Sequence, residues 1–122
     1  LSVLTTVIGH QTEKGWAIVD AGWMAMSRDR GTQKQAHDFG YGQVCDAEGE
    51  VLAGYVLSGA NQEHGILSRE GAPDTDIAKR FPIGTQLRIL PNHACATGAQ
   101  HPEYHALAEN GEVATWRRLH GW

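Results

Sequence analysis

Glycine interrupts this chain fifteen times in 122 residues, and the stretches between are short, apolar and rich in β-branched residues. That combination favours strands. β-Branched side chains suit a pleated, half-buried surface, and glycine supplies the turns that reverse it. The pattern predicts strands over SVLTTVIGH and GWAIVDAG, the second ended by Asp20 and Gly22. YGQVCDAEGEVLAGYVLSG reads as a hairpin turning at Asp46-Ala47-Glu48-Gly49, and HGILSRE as a short strand. GTQLRILPNHAC reads as a strand broken at Pro91, which lacks a ladder N–H. YHALAENGEVATWRRL reads as a second hairpin with Asn110-Gly111 as a type I′ turn. Two stretches carry no strand pattern: WMAMSRDRGTQKQAHD, a polar loop with a helical turn, and PDTDIAKRFPIGTQ, an exposed connection. The expectation is one mainly β domain over residues 1–122, a small barrel or sandwich.

Charge excludes some partners. The net charge is −4, the pI is near 5.9 and the basic residues are scattered, so there is no footprint for nucleic acid or an anionic membrane. No apolar run approaches the ~20 residues of a membrane span, and no signal-peptide pattern is present. A reducing, cytoplasmic setting is expected. Two cysteines, Cys45 and Cys95, make no disulfide framework, although a bridge between them stays open. Cys45 falls in a hairpin strand and reads as core.

The stretch LPNHACATG places His93 and Cys95 two residues apart at a strand end. In an extended segment such side chains share a face, with Cα atoms ~6.6 Å apart at ~3.3 Å per residue. From there an imidazole nitrogen at ~2.0–2.1 Å and a thiolate at ~2.3 Å can meet on one zinc ion. Mixed nitrogen and sulfur donors suit zinc better than magnesium or calcium, and two protein ligands leave positions open for chemistry. On the residues alone the other reading, a capped strand end with a buried thiol, stays open. His64, His101 and His105 either complete such a site or are solvated or bound to backbone. Tyr41, between two glycines, faces a cofactor or packs. Asp20 and Gly22 shape a strand end, and Trp16, Trp116 and Trp122 belong to the core or an interface.

Five ordered segments carry a resemblance over most of the chain. VLTTVIG, AIVDAGWMAMSRDRG with Ser27 and Asp29, GYGQV, QEHGIL, and IGTQLRILPNHAC leading into PNHACATGAQHPEYHAL resemble the C-terminal domain of D-serine dehydratase-like enzymes. These are fold-type III pyridoxal phosphate (PLP) enzymes related to alanine racemase, and the group includes D-threo-3-hydroxyaspartate dehydratase and D-threonine aldolase. The resemblance implies a divalent metal, zinc or another, held by His93 and Cys95; beside that pair His64 is a candidate outer hydrogen-bonding partner and Tyr41 a candidate cofactor contact. It implies a lyase removing water from a D-3-hydroxy amino acid. Cys95 tilts this towards a dehydratase, since family aldolases can place aspartate there. It also implies an N-terminal α/β barrel that carries the PLP lysine. No βαβ alternation or phosphate cradle is found here, and Lys14, Lys34 and Lys79 match no family lysine motif. The expectation is therefore a metal-bearing domain cut from a longer, homodimeric enzyme, inactive alone, with an apolar face at Trp23, Met24 and Met26. Aldolase-type cleavage and a non-catalytic, free-standing β module are the competing readings.

Overall fold

A computed structural model describes residues 1–119; Trp122, expected in the core or an interface, lies outside them. Six strands close into an antiparallel barrel in the order β1-β2-β5-β4-β3-β6. They are β1 (Val3–Gln11), β2 (Trp16–Val19), β3 (Gly42–Cys45), β4 (Val51–Ala60), β5 (Gly65–Arg69) and β6 (Gln86–Pro91). Of the two expected architectures, barrel and sandwich, the barrel forms. β7 (Glu103–Leu107) and β8 (Val113–Arg117) pair as a separate hairpin. Among the described residues there are also three single turns of α-helix: α1 (Trp23–Met26), α2 (Ile77–Arg80) and α3 (Ala94–Gly98).

Alternation along the strands builds the core. Val3, Val7, Ala17, Val19, Leu57, Leu67, Leu87 and Ile89 point inward and are buried. Three register shifts put extra residues into β1, between Val7 and Gly9, and into β4, opposite Gln43/Cys45 and between Leu57 and Gly59, and these bends help a barrel this small to close. α2 contributes Ile77 and Phe81 to the core at one end, and α1 contributes Met26 at the other.

The 73–85 connection is therefore more than an exposed link. Asp74 is buried and accepts from Tyr55 Oη at 2.5 Å and from Arg80 Nε at 3.0 Å. The Tyr55 hydrogen bond, followed by the Asp76 N–H and Arg80, outweighs desolvation and holds the Asp74 carboxyl below the usual range. Burial and then Asp74 itself push the Tyr55 hydroxyl up. Because the folded state depresses the Asp74 pKa, its contribution is fully present above about pH 4 and fades as pH falls further. Urea midpoints measured from pH 7 to 3 should drop steeply below about pH 4. An Asp74→Asn variant should start lower at pH 7 and fall less. Parallel curves for the two proteins would refute the assignment.

Other expectations shift in detail. Only Gly111, not Asn110, has a positive φ, and Ala108 and Glu112 close the loop through a 2.9 Å N–H···O bond. The β7–β8 turn is thus a three-residue loop with a glycine bulge rather than type I′. The proposed apolar face divides: Met24 is 61% exposed, Trp23 is half-buried with Arg28 stacked 4.2 Å from its ring centre, and Met26 is core. Larger exposed apolar surface lies on the hairpin at Leu107, Val113 and Trp116. Trp16 is half-buried beneath Lys14. Both cysteines are free: Cys45 is buried, which pushes its thiol pKa up, and Cys95 is exposed.

Candidate metal centre

Antiparallel pairing brings the ends of β2, β4 and β6 and the starts of β3 and β5 to one rim. The connections leaving that rim carry most of the residues singled out above: Asp20, Gly22, Ser27, Asp29, Tyr41, His64, His93 and Cys95.

His93 and Cys95 straddle a corner. β6 ends at Pro91, His93 is extended (φ −135°, ψ 94°) and caps α3, and Cys95 is the second residue of that helix. The extended geometry expected from sequence therefore does not apply, because the chain turns helical between the two side chains. Both remain accessible: Cys95 is exposed, and 49% of the His93 side chain is. His93 Nδ1 is hydrogen-bonded to Asp29 Oδ2. A carboxylate only accepts, so Nδ1 is the donor in this bond and Nε2 is the ring nitrogen left for another partner.

The Asp29 segment is braced at many points. α1 starts where Trp23 and Met24 donate to the carbonyls of Asn61 and Gln62 at 2.8 and 3.1 Å, on the β4–β5 turn. A Cβ on Gly22 would sit 2.4 Å from the Asn61 oxygen and 2.5 Å from the His64 nitrogen. Both are backbone atoms that cannot swing aside. Gly22→Ala should therefore cost about 1–3 kcal/mol, read from urea unfolding. An unchanged midpoint would show that the turn gives way. Beyond α1, Arg30 pairs with Asp38 at 2.6 Å, and Asn92 Nδ2 donates to the Gly40 carbonyl at 2.7 Å. α3 is tied to α1 through buried Thr97, whose hydroxyl donates to the Met26 carbonyl at 2.8 Å.

The remaining candidates divide. His101 Nε2 donates to the Ala25 carbonyl at 2.9 Å, so its ring is satisfied by backbone. His105 is exposed on β7, and His64 is exposed at the β4–β5 tip. Tyr41 is half-buried against the core with the Arg30 guanidinium 5.5 Å from its ring centre. Asp20 accepts from Thr5 Oγ1 at 2.6 Å and from the Thr6 N–H at 2.8 Å, which makes it a strand-end clasp. Among the described residues no group of three or more His, Cys, Asp or Glu side chains is placed to hold a metal ion. The sequence reading gave Asp29 no role. It lies 64 positions from His93, and no local pattern links them.

The family model described as "Putative serine dehydratase domain" matches residues 1–107. The chain belongs to that family. It is 75% identical over its whole length to the D-threo-3-hydroxyaspartate dehydratase of Delftia sp. (strain HT23), of which it covers 32%. It is 32% identical over 98% of its length to the D-serine dehydratase of Schizosaccharomyces pombe, covering 26% of that protein. The chain thus spans about a third or less of the curated relatives it matches. The Delftia structure superposes with a TM-score of 0.96 at 74% identity, over 99% of this chain and 32% of that one. Two further D-threo-3-hydroxyaspartate dehydratase structures, each superposing with a TM-score of 0.96 at 74% identity, are alanine mutants at a histidine and at a cysteine two positions on, the latter in the metal-free form. An alanine racemase-like protein from Idiomarina loihiensis superposes at 0.90 with 53% identity, over 99% of this chain and 32% of that one. No helix among the described residues is long and apolar enough to cross a membrane.

Proposed function

We propose that this family member serves a metal- and PLP-dependent dehydratase that removes water from a D-3-hydroxy amino acid, with His93 and Cys95 as the metal ligands. One observation carries the reading. A rim corner holds an accessible imidazole whose Nδ1 is already engaged, two residues from an exposed free thiol. Borderline nitrogen and soft sulfur donors fit zinc. The histidine and cysteine mutants of D-threo-3-hydroxyaspartate dehydratase, spaced as His93 and Cys95 are, support the same pair.

When bound, the metal would act as a Lewis acid on the departing hydroxyl oxygen. This chain's residues would hold and orient it: the His93 and Cys95 side chains are accessible at the rim, and the α1–α3 tie keeps their corner from drifting. No lysine of this chain is set to carry PLP. Lys14, Lys34 and Lys79 are all exposed, and none has the desolvated setting that turns a lysine into a Schiff-base nucleophile. The Schiff-base lysine is therefore assigned to residues outside this chain.

The test uses the full-length protein, D-threo-3-hydroxyaspartate and D-serine. Elimination yields a 2-oxo acid and ammonia; aldol cleavage yields glycine and an aldehyde. Chelation should stop 2-oxo acid formation and zinc should restore it. Full turnover after verified metal removal would overturn the reading, and glycine as product would replace it with the aldolase.

A further inference from the structure

We infer that Asp29 is the positioning residue for His93, selecting Nε2 as the metal-binding nitrogen, and that the backbone bend at Ser27 delivers it. This rests on the metal reading above.

Three observations converge. First, Asp29 engages Nδ1 of His93 although both side chains are partly solvent-exposed, 38% and 49%. An exposed pair of this kind adds little to stability, so folding alone does not account for it. It does fix the imidazole's rotation and its tautomer, which an unrestrained surface histidine lacks.

Second, Ser27 is the one non-glycine among the described residues with positive φ, at φ 71° and ψ 174°. That region is costly for any residue but glycine, and such strain collects where a site demands a particular chain path. Here it turns the chain sharply at the end of α1. The buried Ser27 hydroxyl then accepts the Asp29 N–H at 3.2 Å, so the strained residue also steadies the carboxylate's own backbone.

Third, the partner is clamped independently. Asn92, immediately before His93, donates to the Gly40 carbonyl at 2.7 Å, and Asp38 accepts from the Gly40 N–H at 2.9 Å while pairing with Arg30. The segment that supplies Asp29 thereby also holds the backbone that supplies His93. Carboxylate and imidazole are set from one brace.

The experiment measures zinc affinity of the full-length protein by competition with a chromophoric chelator. It compares wild type, Asp29→Asn, Asp29→Ala, Asp29→Glu, His93→Ala and Cys95→Ala, with melting of each metal-free form. Asp29→Asn and Asp29→Ala should weaken zinc binding about 10–100-fold with little change in metal-free melting, and Asp29→Glu should recover part of the loss. In ¹⁵N-histidine spectra, zinc should shift Nε2 of His93 while Nδ1 keeps its proton. Wild-type affinity in both Asp29→Asn and Asp29→Ala, alongside loss in His93→Ala, would overturn the positioning role and leave the metal reading standing. Zinc found on Nδ1, or an affinity loss matched by collapse of metal-free melting, would also overturn it. Wild-type affinity in His93→Ala and Cys95→Ala would remove the metal reading itself.

Discussion

Cys95→Ala and His93→Ala, each made in the full-length protein, are expected to strip the bound metal and lower dehydratase turnover by about 10³-fold. A Lewis acid on a departing hydroxyl oxygen supplies several kcal/mol, and each 1.4 kcal/mol is about a factor of ten. With two ligands proposed from this chain, losing one would leave a single donor, and among the described residues no group of three or more His, Cys, Asp or Glu side chains is placed to hold the metal instead. Folding should survive. Cys95 is exposed, and half of the His93 side chain is, so alanine at either position opens no core cavity. Melting of the metal-free proteins should stay within a few degrees of wild type while metal content and turnover collapse together. Either variant keeping stoichiometric metal and full rate would reduce the pair to a strand end. If turnover fell with metal retained, the ligand assignment would move elsewhere on the rim.

The mainly β character was legible in the sequence because its signal is local, whereas the choice of barrel over sandwich rests on non-local pairing. Alternation through Val3, Thr5 and Val7, the Asp46 turn, and Gly111 in the second hairpin each declare themselves within a few residues. The three short helices were less visible. Each is a single turn, too short for a 3.6-residue period, and each is held by tertiary ties such as Thr97 to the Met26 carbonyl. The same holds for the site. The spacing of His93 and Cys95 named the pair, yet it assumed an extended chain where the structure places the cap and second residue of a helix. Asp29 and Asn92, which fix the histidine from either side, are tied across 64 and 52 positions. Sequence patterns report neighbours along the chain, and the brace between α1 and α3 exists only once the barrel has closed.

Stability and site should come apart under a mutation placed below the rim. Leu57 is fully buried in β4, opposite Leu67 of β5, and sits where the β4 ladder shifts register. Leu57→Ala should cost about 2–5 kcal/mol, since a barrel closed on all sides relaxes little around a lost side chain. Against a typical total of about 5–15 kcal/mol that is a large fraction, and at roughly 4 °C per kcal/mol it lowers the melting temperature by about 10–20 °C. The backbone is untouched. The Leu57 carbonyl still accepts the Tyr41 N–H at 2.7 Å, and Asn92 still reaches the Gly40 carbonyl, so the corner bearing His93 and Cys95 keeps its supports. At a temperature where the variant remains folded, its zinc affinity should match wild type within about twofold, in contrast to the about 10–100-fold loss expected for Asp29→Asn. A melting shift below ~3 °C would mean that the core is looser at Leu57 than its burial indicates. Loss of zinc affinity in the folded variant would mean that the rim is shaped by core packing, and that the α1–α3 brace alone does not set the geometry of the histidine.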